Sequence, residues 1–323
     1  MQKRGKNAQG KQRWLCTSCN QSRSLGHETQ AHSRVLDRFV AWLLGKQSQS
    51  ELPTGFTDRT WRNQTAWCWD VVPKPALSGE IYAILLLDGI RIGSQVCLIA
   101  RTPEYVVGWC WVPYESSGYW DKLLGTLPPP TVVVCDGQKG ILVSIPRNWR
   151  STAIQRCHFH VWQNVRTKLT LNPQTEAGKQ LLQLARGLLK GLLTQEQANL
   201  WIRYLEAWEQ THGDFLKERA YTDNPKPGKR KWRYTHERLR SAYRQLAKLL
   251  RDDQLFTYLD NDLLQRTGQP IPRTTNHVEG GINSQLRNKL KLHRGMSEDH
   301  QRRLVEWYLY TRAEAPKPPR NFL

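Results

Sequence analysis

Two aspartates occupy equivalent places in two apolar segments of the chain. Asp88 follows the run LLL and Asp136 follows the run VVVC, and a glycine comes directly after each aspartate. A single aspartate before a glycine is weak evidence, because its side chain often only caps the next turn. Two such aspartates at one sheet edge would repel each other unless a cation lay between them. Mg²⁺ or Mn²⁺, which prefer oxygen ligands, would meet that need.

A third acid, Glu279, lies in the segment TTNHVEGGINSQLR. One interpretation is structural, because Asn276 at the N-cap and Glu279 three residues later have the form of a capping box. That role does not explain the two glycines that follow, since each costs a helix about 1 kcal/mol relative to alanine. Glycines there would let a phosphate backbone or a metal ion approach closely. We therefore predict that the segment forms a helix that directs Glu279 towards the two aspartates, with Asn283 and Arg287 on its polar side.

Three carboxylates around two divalent cations can transfer phosphoryl groups. One cation activates the attacking water or 3′-hydroxyl and the other stabilises the leaving oxygen, with the ions about 3.5–4 Å apart. The protein then contributes acids and geometry, and no covalent intermediate is needed.

The elements that would position the aspartates form a mixed α/β sheet. Apolar runs and turn signals between residues 81 and 170 predict the order β-β-β-α-β-α-β-α, with Asp88 and Asp136 at strand ends. Three antiparallel strands followed by parallel strands crossed by helices should place the first strand beside the fourth. The two carboxylates would then lie side by side at one end of the sheet.

The N-terminal residues indicate two further modules. Cys16 and Cys19 form a Cys-x-x-Cys pair, one half of a zinc ribbon, and no second pair accompanies them; two exposed thiols in a flexible tail are the alternative. Residues 30–70 predict a helix, a turn and a second helix capped by Thr57, which fits a helix-turn-helix or a small helical bundle. The candidate DNA contacts on the second helix are Arg59, Arg62, Asn63 and Gln64.

The charge of the chain favours a polyanionic partner. The 48 Lys and Arg exceed the 28 Asp and Glu, which gives a net charge of +20 at pH 7. Nucleic acid is the expected partner, because basic side chains that neutralise phosphates release counterions. A membrane surface is the weaker candidate, since no basic amphipathic helix has a clean apolar face. The absence of an apolar signal segment and the irregular spacing of seven cysteines favour the cytosol.

The remaining segments complete the predicted organisation. Helical periods predict an all-helical insertion, interrupted by a basic loop in which the candidate DNA contacts are Lys229, Arg230, Lys231 and Trp232. The predicted boundaries are 1–29 for the partial zinc-ribbon segment, 30–70 for the helix-turn-helix, 71–80 for a linker, 81–170 for the first part of the catalytic core, 171–272 for the insertion, 273–312 for the last helices of the core and 313–323 for a disordered tail.

Four motifs in this order, LLLDG, VVVCDG, QRCHFHVWQN and TTNHVEGGINSQLR, resemble the bacterial mutator-type insertion-sequence transposases. The nearest group is insertion sequence family two-five-six, in its zinc-ribbon subgroup twelve-forty-nine, and the resemblance covers nearly the whole chain. It implies a ribonuclease H-like fold and a DDE triad of Asp88, Asp136 and Glu279 that binds two Mg²⁺ or Mn²⁺ ions. It also implies a Cys-x-x-His motif at Cys157 and His160, where His160 could contact a phosphate or the leaving group. A buried cysteine and a satisfied histidine are the alternative.

The resemblance implies a bacterial, cytoplasmic and nucleoid-associated enzyme of DNA transposition and recombination. Residues 1–69 would bind the terminal inverted repeats of an insertion sequence, and a homodimer or larger assembly on double-stranded DNA would cut and join strands. Relatives are expected to carry a second Cys-x-x-Cys before GKNAQGKQRWLC, so the chain is expected to be N-terminally truncated, with intact acids but an incomplete Zn²⁺ module. Two alternatives are a catalytically inactive relic that acts as a DNA-binding repressor, and a structure-specific nuclease on the same fold.

Overall fold

A computed structural model describes residues 1–8, 10, 12–24, 27–47, 57–75, 79–221, 232–275 and 282–322. The chain divides into two compact units, Met1–Pro75 with Ser284–Leu323 (the terminal unit) and Ala76–Asn283 (the sheet unit). The sequence grouped residues 273–312 with the sheet, whereas the chain passes from the sheet unit to the terminal unit after Asn283.

Ten strands and eleven α-helices are found in the described residues. The strands are β1 (Gln2–Lys6), β2 (Gln12–Leu15), β3 (Ser22–Ser24), β4 (Ile84–Ile92), β5 (Gln95–Arg101), β6 (Val106–Val112), β7 (Val132–Cys135), β8 (Ala153–Arg156), β9 (Arg219–Tyr221) and β10 (Trp232–Tyr234). The helices are α1 (His27–Leu43), α2 (Asp58–Thr65), α3 (Ser117–Leu124), α4 (Lys139–Asn148), α5 (His158–Leu169), α6 (Glu176–Lys190), α7 (Gln195–His212), α8 (Glu237–Arg251), α9 (Asn261–Thr267), α10 (Ser284–Leu292) and α11 (Glu298–Tyr310).

The sheet unit is built on a five-stranded mixed sheet in the order β6-β5-β4-β7-β8. Strands β4, β5 and β6 pair antiparallel, and β7 and β8 pair parallel to β4 and to each other. The predicted α/β class, with the first strand beside the fourth, is confirmed. One face of the sheet packs on α3 and α4, where Leu85, Leu87 and Val133 meet Trp120 and Ile141 in a fully buried core.

Strand β4 runs past Asp88, contrary to the prediction that this residue ends the strand. Antiparallel pairing with β5 continues from Asp88 opposite Ile99 to Ile92 opposite Gln95. The turn lies at Gly93, which has a positive φ of 56°. The strand is longer than its apolar run because β5 supplies hydrogen-bond partners to its end.

The predicted all-helical insertion also contains a two-stranded antiparallel sheet, β9 with β10, so that part of the prediction was wrong. The helical period of the sequence over residues 235–264 predicts one helix, which is also wrong. Helix α8 ends at Arg251, Asp253 takes a positive φ of 51°, and a 3-10 helix, Thr257–Leu259, precedes α9. A positive φ at a non-glycine residue ends α-helical geometry, although the apolar period continues through the sequence. Buried side chains of α5 to α8 form one continuous core.

In the terminal unit, Leu36, Phe39 and Leu43 of α1 are fully buried, as are Leu304 and Trp307 of α11. Strands β1, β2 and β3 form an antiparallel sheet in the residues where a flexible tail was the alternative. The predicted cap of α2 is confirmed, since Thr57 Oγ1 accepts a hydrogen bond from Thr60 N at 3.2 Å. The tail predicted to be disordered instead forms a 3-10 helix, and its Phe322 ring lies 5.2 Å from that of Trp307.

Among the helices of the described residues, none combines the length and apolar character needed to cross a membrane.

Candidate active site

The register of the sheet brings Asp88 and Asp136 to neighbouring positions. Leu87 pairs with Cys135 as the last pair of the parallel β4–β7 ladder, so the two aspartates are the next residues on adjacent strands. Adjacent strands lie about 4.7–4.9 Å apart. The aspartates therefore meet where β7 ends and β4 continues alone beside β5.

Asp88 is almost fully buried, and each of its carboxylate oxygens accepts a hydrogen bond. Its Oδ1 accepts from Gly89 N and its Oδ2 accepts from Asn283 Nδ2, both at 2.9 Å. Asn283 is only 4% exposed, and its Oδ1 has no hydrogen-bond partner within the described part of the chain. Such a buried acceptor costs about 1–3 kcal/mol when nothing donates to it. The predicted neighbour Asn283 is thus in contact with the first aspartate and offers a free oxygen beside it.

Asp136 begins the loop between β7 and α4 and is partly exposed. Its Oδ1 accepts a hydrogen bond from Gln138 N at 3.0 Å, while its main-chain oxygen accepts from Arg156 Nη2 at 2.8 Å. Gly137 between them has a φ of +77°, a left-handed conformation that favours glycine. These contacts fix the carboxylate at the end of the strand.

Each glycine after an aspartate admits a side chain from another element. A Cβ at Gly137 would lie 1.7 Å from the Arg156 guanidinium carbon, and a Cβ at Gly89 would lie 2.7 Å from Glu115 Oε1. The glycine in each Asp-Gly pair therefore leaves room for another side chain to lie against the main chain. The side chains that occupy this room, Arg156 and Glu115, belong to the chain itself.

Sequence reasoning missed both of these side chains. Glu115 lies in the loop between β6 and α3, and its Oε1 accepts a hydrogen bond from Gln138 Nε2 at 3.2 Å. Burial and the negative charge of Asp136 raise the pKa of Glu115. The only available signal was topological, since β6 and β4 are both expected to end at the same side of the sheet. Arg156, the last residue of β8, stood one position before the Cys-x-x-His motif.

The Cys-x-x-His motif lies beside the same strand end. Cys157 N donates to Cys135 O at 2.8 Å, and Cys157 Sγ accepts from both Thr275 N and Thr275 Oγ1 at 3.3 Å. Burial raises the pKa of the thiol, but hydrogen bonding and the charge of His160, with help from Thr275, bring the pKa below its ordinary value. Cys157 therefore interacts with His160, and its main chain is bonded to Cys135, the residue before Asp136. Cys157 is fully buried, which agrees equally well with the alternative interpretation of a cysteine that only packs in the core.

His158, which lies between Cys157 and His160 in the sequence, is fully buried in the core. Its Nε2 lies 2.7 Å from Leu255 O and its Nδ1 lies 3.3 Å from Leu188 O. Burial lowers the pKa of His158 to about 4.

The side chains at the end of β7 fit a hard divalent cation. The carboxylates of Asp88 and Asp136 and the amide oxygen of Asn283 are ligands of the kind that Mg²⁺ prefers. Glu279, the predicted third acid, and Asn276 lie outside the described residues. Within the described ranges alone, no group of three or more His, Cys, Asp or Glu side chains is placed to hold a metal ion.

The other predicted site residues belong to other elements of the chain. Arg287 is exposed on α10 of the terminal unit. Exposed positions on α2 are taken by Arg59, Arg62, Asn63 and Gln64. Trp232 is partly buried on β10, with the Arg219 guanidinium 4.2 Å from its ring centre, whereas Lys229, Arg230 and Lys231 lie outside the described residues.

Cys16 and Cys19 lie in the turn between β2 and β3. Hydrogen bonds from the main chain of Cys19 and Ser18 lower the pKa of the Cys16 thiol to about 7. A thiol with a lowered pKa is readily available as the thiolate that binds metal. The turn thus presents two thiols three residues apart, as one half of a zinc ribbon would.

No protein-family model matches the chain, and no curated protein sequence matches it significantly.

Proposed function

We propose that the chain is a DNA transposase of the DDE type, which binds the terminal inverted repeats of an insertion sequence and cuts and joins DNA strands with Mg²⁺ or Mn²⁺. The observation that carries the proposal is the side-by-side position of Asp88 and Asp136 at the end of the β4–β7 ladder. Asn283, which binds Asp88, follows the predicted third acid Glu279 by one helical turn of sequence. The contact supports placing all three acids at one site.

The topology of the sheet supports a ribonuclease H-like core. Three antiparallel strands lead into two parallel strands joined by helices, and the long interval before Glu279 is filled by the largely helical insertion. Sequence distance between the second and third acids is therefore compatible with proximity in the fold.

The residues of the site would act mainly by holding charge in a fixed geometry. Gly89 N and Asn283 fix both oxygens of Asp88, and Gln138 N fixes one oxygen of Asp136, so little reorganisation is needed when a cation and DNA bind. Bound divalent cations would supply activation of the attacking oxygen and stabilisation of the leaving oxygen. Cys157 and Thr275 would place His160 beside the second acid, where its imidazole can bind a phosphate oxygen.

The terminal unit would recognise the DNA ends. The exposed polar side of α2, preceded by α1, fits the second helix of a helix-turn-helix, and the net charge of +20 supports binding to phosphates. The thiols of Cys16 and Cys19 would contribute to a Zn²⁺ site only with further ligands, because structural zinc sites are four-coordinate. Strand transfer at two ends favours a homodimer or a larger assembly on DNA.

The proposal is tested by strand cleavage of a labelled duplex that carries the element's own end, in Mg²⁺ or Mn²⁺. Wild-type protein should cut at the end, and Glu279→Gln should bind that end equally well without cutting it. Asp262→Gln, at an exposed site on α9, is the control for loss of one negative charge. Equal cleavage by wild type and Glu279→Gln would contradict the assignment of Glu279 as the third acid of the triad.

Two other outcomes would point to different functions. End binding without cleavage by the wild type would favour a DNA-binding repressor. Cleavage of branched DNA regardless of end sequence would favour a structure-specific nuclease.

A further inference from the structure

Helices α6 and α7 border an open groove of about 1160 Å³ in the helical insertion. Two buried tryptophans of α7 hold the helices together, because Trp201 Nε1 donates to Leu184 O at 2.9 Å and Trp208 Nε1 donates to Ala177 O at 3.0 Å. The two accepting oxygens are about two helical turns apart on α6. The shape of the groove is therefore set by the core of the insertion before any ligand binds.

The α6 wall of the groove is positively charged. Lys179, Arg186 and Lys190 line it, and their spacings of seven and four residues place them on one face of the helix. Among the described residues that line the groove, none is acidic. Neither Arg186 nor Lys190 forms a salt bridge with a described residue, and Lys179 lies 4.0 Å from Glu176 in a pair whose side chains are both exposed. This charge is complementary to a polyanion.

The α7 wall carries an exposed aromatic ring. Tyr204 lines the groove and is 56% exposed, and the small side chain of Ala207, also in the lining, stands one turn further along α7. Proteins that bind single-stranded nucleic acid combine a positively charged groove that follows the phosphates with aromatic rings on which bases stack. The two walls of the groove supply these two parts.

The ring also decides between a single strand and a duplex. Bases of a duplex stack on one another, so their faces are closed to a side chain on the protein, whereas an unpaired base offers its face. Packed helices lie only about 8–10 Å apart, axis to axis, which suits one strand better than two. Arg186 and Lys190 are about 6 Å apart along the axis of α6, so they can contact neighbouring phosphates of that strand.

We propose that the groove between α6 and α7 binds single-stranded DNA, with Arg186 and Lys190 at its phosphates and Tyr204 stacked on a base. This surface goes beyond the proposed function, which assigns recognition of the DNA ends to α2. It requires neither an end sequence nor cleavage.

Fluorescence anisotropy of the whole chain with a labelled strand of thymidines tests the stacking. A strand of the same length without bases keeps the phosphates and removes the stacking partner. We expect the wild type to bind the thymidine strand at least about 5-fold more tightly than the abasic strand, because stacking of a base on an aromatic ring contributes at least that factor. Tyr204→Ala should lose this preference, and Tyr204→Phe should keep it.

The same assay over a salt series tests the charged wall. We expect Arg186→Ala combined with Lys190→Ala to weaken binding and to reduce the dependence of log affinity on log salt by about 1.4, since each phosphate contact of a single strand contributes about 0.7. Arg244→Ala with Lys248→Ala is the matched control. It removes two exposed cations at the same spacing from α8, outside the lining of the groove, and should leave the salt dependence unchanged.

Four results would overturn the inference. Equal affinity of the wild type for the thymidine and abasic strands would exclude stacking, and equal losses from the α6 and α8 pairs would exclude a special role of the groove. Tighter binding of a duplex, weakened by the α6 pair, would assign the groove to double-stranded DNA. Displacement of the labelled strand by polyglutamate as readily as by unlabelled thymidines would assign it to an acidic protein segment. Each result leaves cleavage at the element's end, and with it the proposed function, to be decided by its own assay.

Discussion

The two aspartates differ in how firmly their surroundings hold them. Both oxygens of Asp88 accept hydrogen bonds, from Gly89 N and Asn283 Nδ2, whereas Asp136 is partly exposed and is fixed through Gln138 and the left-handed Gly137. Asp88 is thus the rigid member of the pair. Asp136 is the member that can meet a ligand arriving from solvent, and Gln138 connects it to Glu115.

His158 should make the stability of the protein depend on pH. Because burial holds the pKa of His158 at about 4 in the folded state, against 6.5 when exposed, the folded state favours the neutral ring. The corresponding stability is complete above pH 6.5 and is lost as the pH falls from 6.5 towards 4. At about 1.4 kcal/mol per pKa unit, the loss amounts to at most about 3.5 kcal/mol.

Urea denaturation at pH 7 and pH 4.5 measures this effect. We expect His158→Gln to lose less free energy of unfolding between the two pH values than the wild type. His212→Gln, at the end of α7, is the control and should follow the wild type. Parallel losses in wild type and His158→Gln would show that His158 is not the titrating group.

At the scale of elements, α2 is the candidate for reading the DNA ends. We expect Arg59→Ala combined with Arg62→Ala to weaken binding to the element's end and to reduce the dependence of log affinity on log salt by about 1.8. That figure corresponds to two lost phosphate contacts at about 0.9 each. Fluorescence anisotropy over a salt series measures both quantities.

A matched pair of changes on α8 separates recognition from general charge. Lys248→Ala with Arg251→Ala removes the same charge from residues that now neighbour Asp252. If that pair lowers binding as much as the α2 pair, α2 has no special role and the excess positive charge of the chain accounts for binding.

The sheet could be predicted because its strands are recognisable from the sequence. Buried strands such as β4 and β7 read as apolar runs, and the order of antiparallel and parallel strands then places Asp88 beside Asp136. The extra hairpin could not be predicted in this way, because β9 and β10 have three residues each and no alternation can be seen at that length. The ordered tail depends on Phe322 packing against aromatic rings of α11, a contact between distant residues.

Strand order predicted only one part of the candidate site, the position of Asp88 beside Asp136. The contact of Asn283 with Asp88 follows from a helical segment that sequence already linked to the acids. Glu115 was missed because it lies in a loop whose path no spacing rule gives. Arg156 was missed because its contact with Asp136 depends on how a long side chain reaches from β8 to the neighbouring strand end. The only sign of Glu115 and Arg156 in the sequence was the glycine after each aspartate, which makes room for them.

At the scale of the whole molecule, the chain combines a sheet unit that holds the acids with a terminal unit that carries α2 and the cysteine pair. A net charge of +20 would suit the proposed transposase, which would have to hold DNA ends while the acids of its site repel phosphates. Divalent cations would reconcile the two, because they neutralise the acids and attract the phosphate to be cut.

The most direct test of the central claim is metal rescue of Asp136→Cys in the end-cleavage assay. A thiolate is a softer ligand than a carboxylate and binds Mg²⁺ poorly, while Mn²⁺ accepts it more readily. The account predicts that Asp136→Cys binds the end, fails to cut it in Mg²⁺ and regains cleavage in Mn²⁺. Cleavage by Asp136→Cys at the wild-type rate in Mg²⁺ would contradict it, because Asp136 would then not hold the cation that strand cleavage needs.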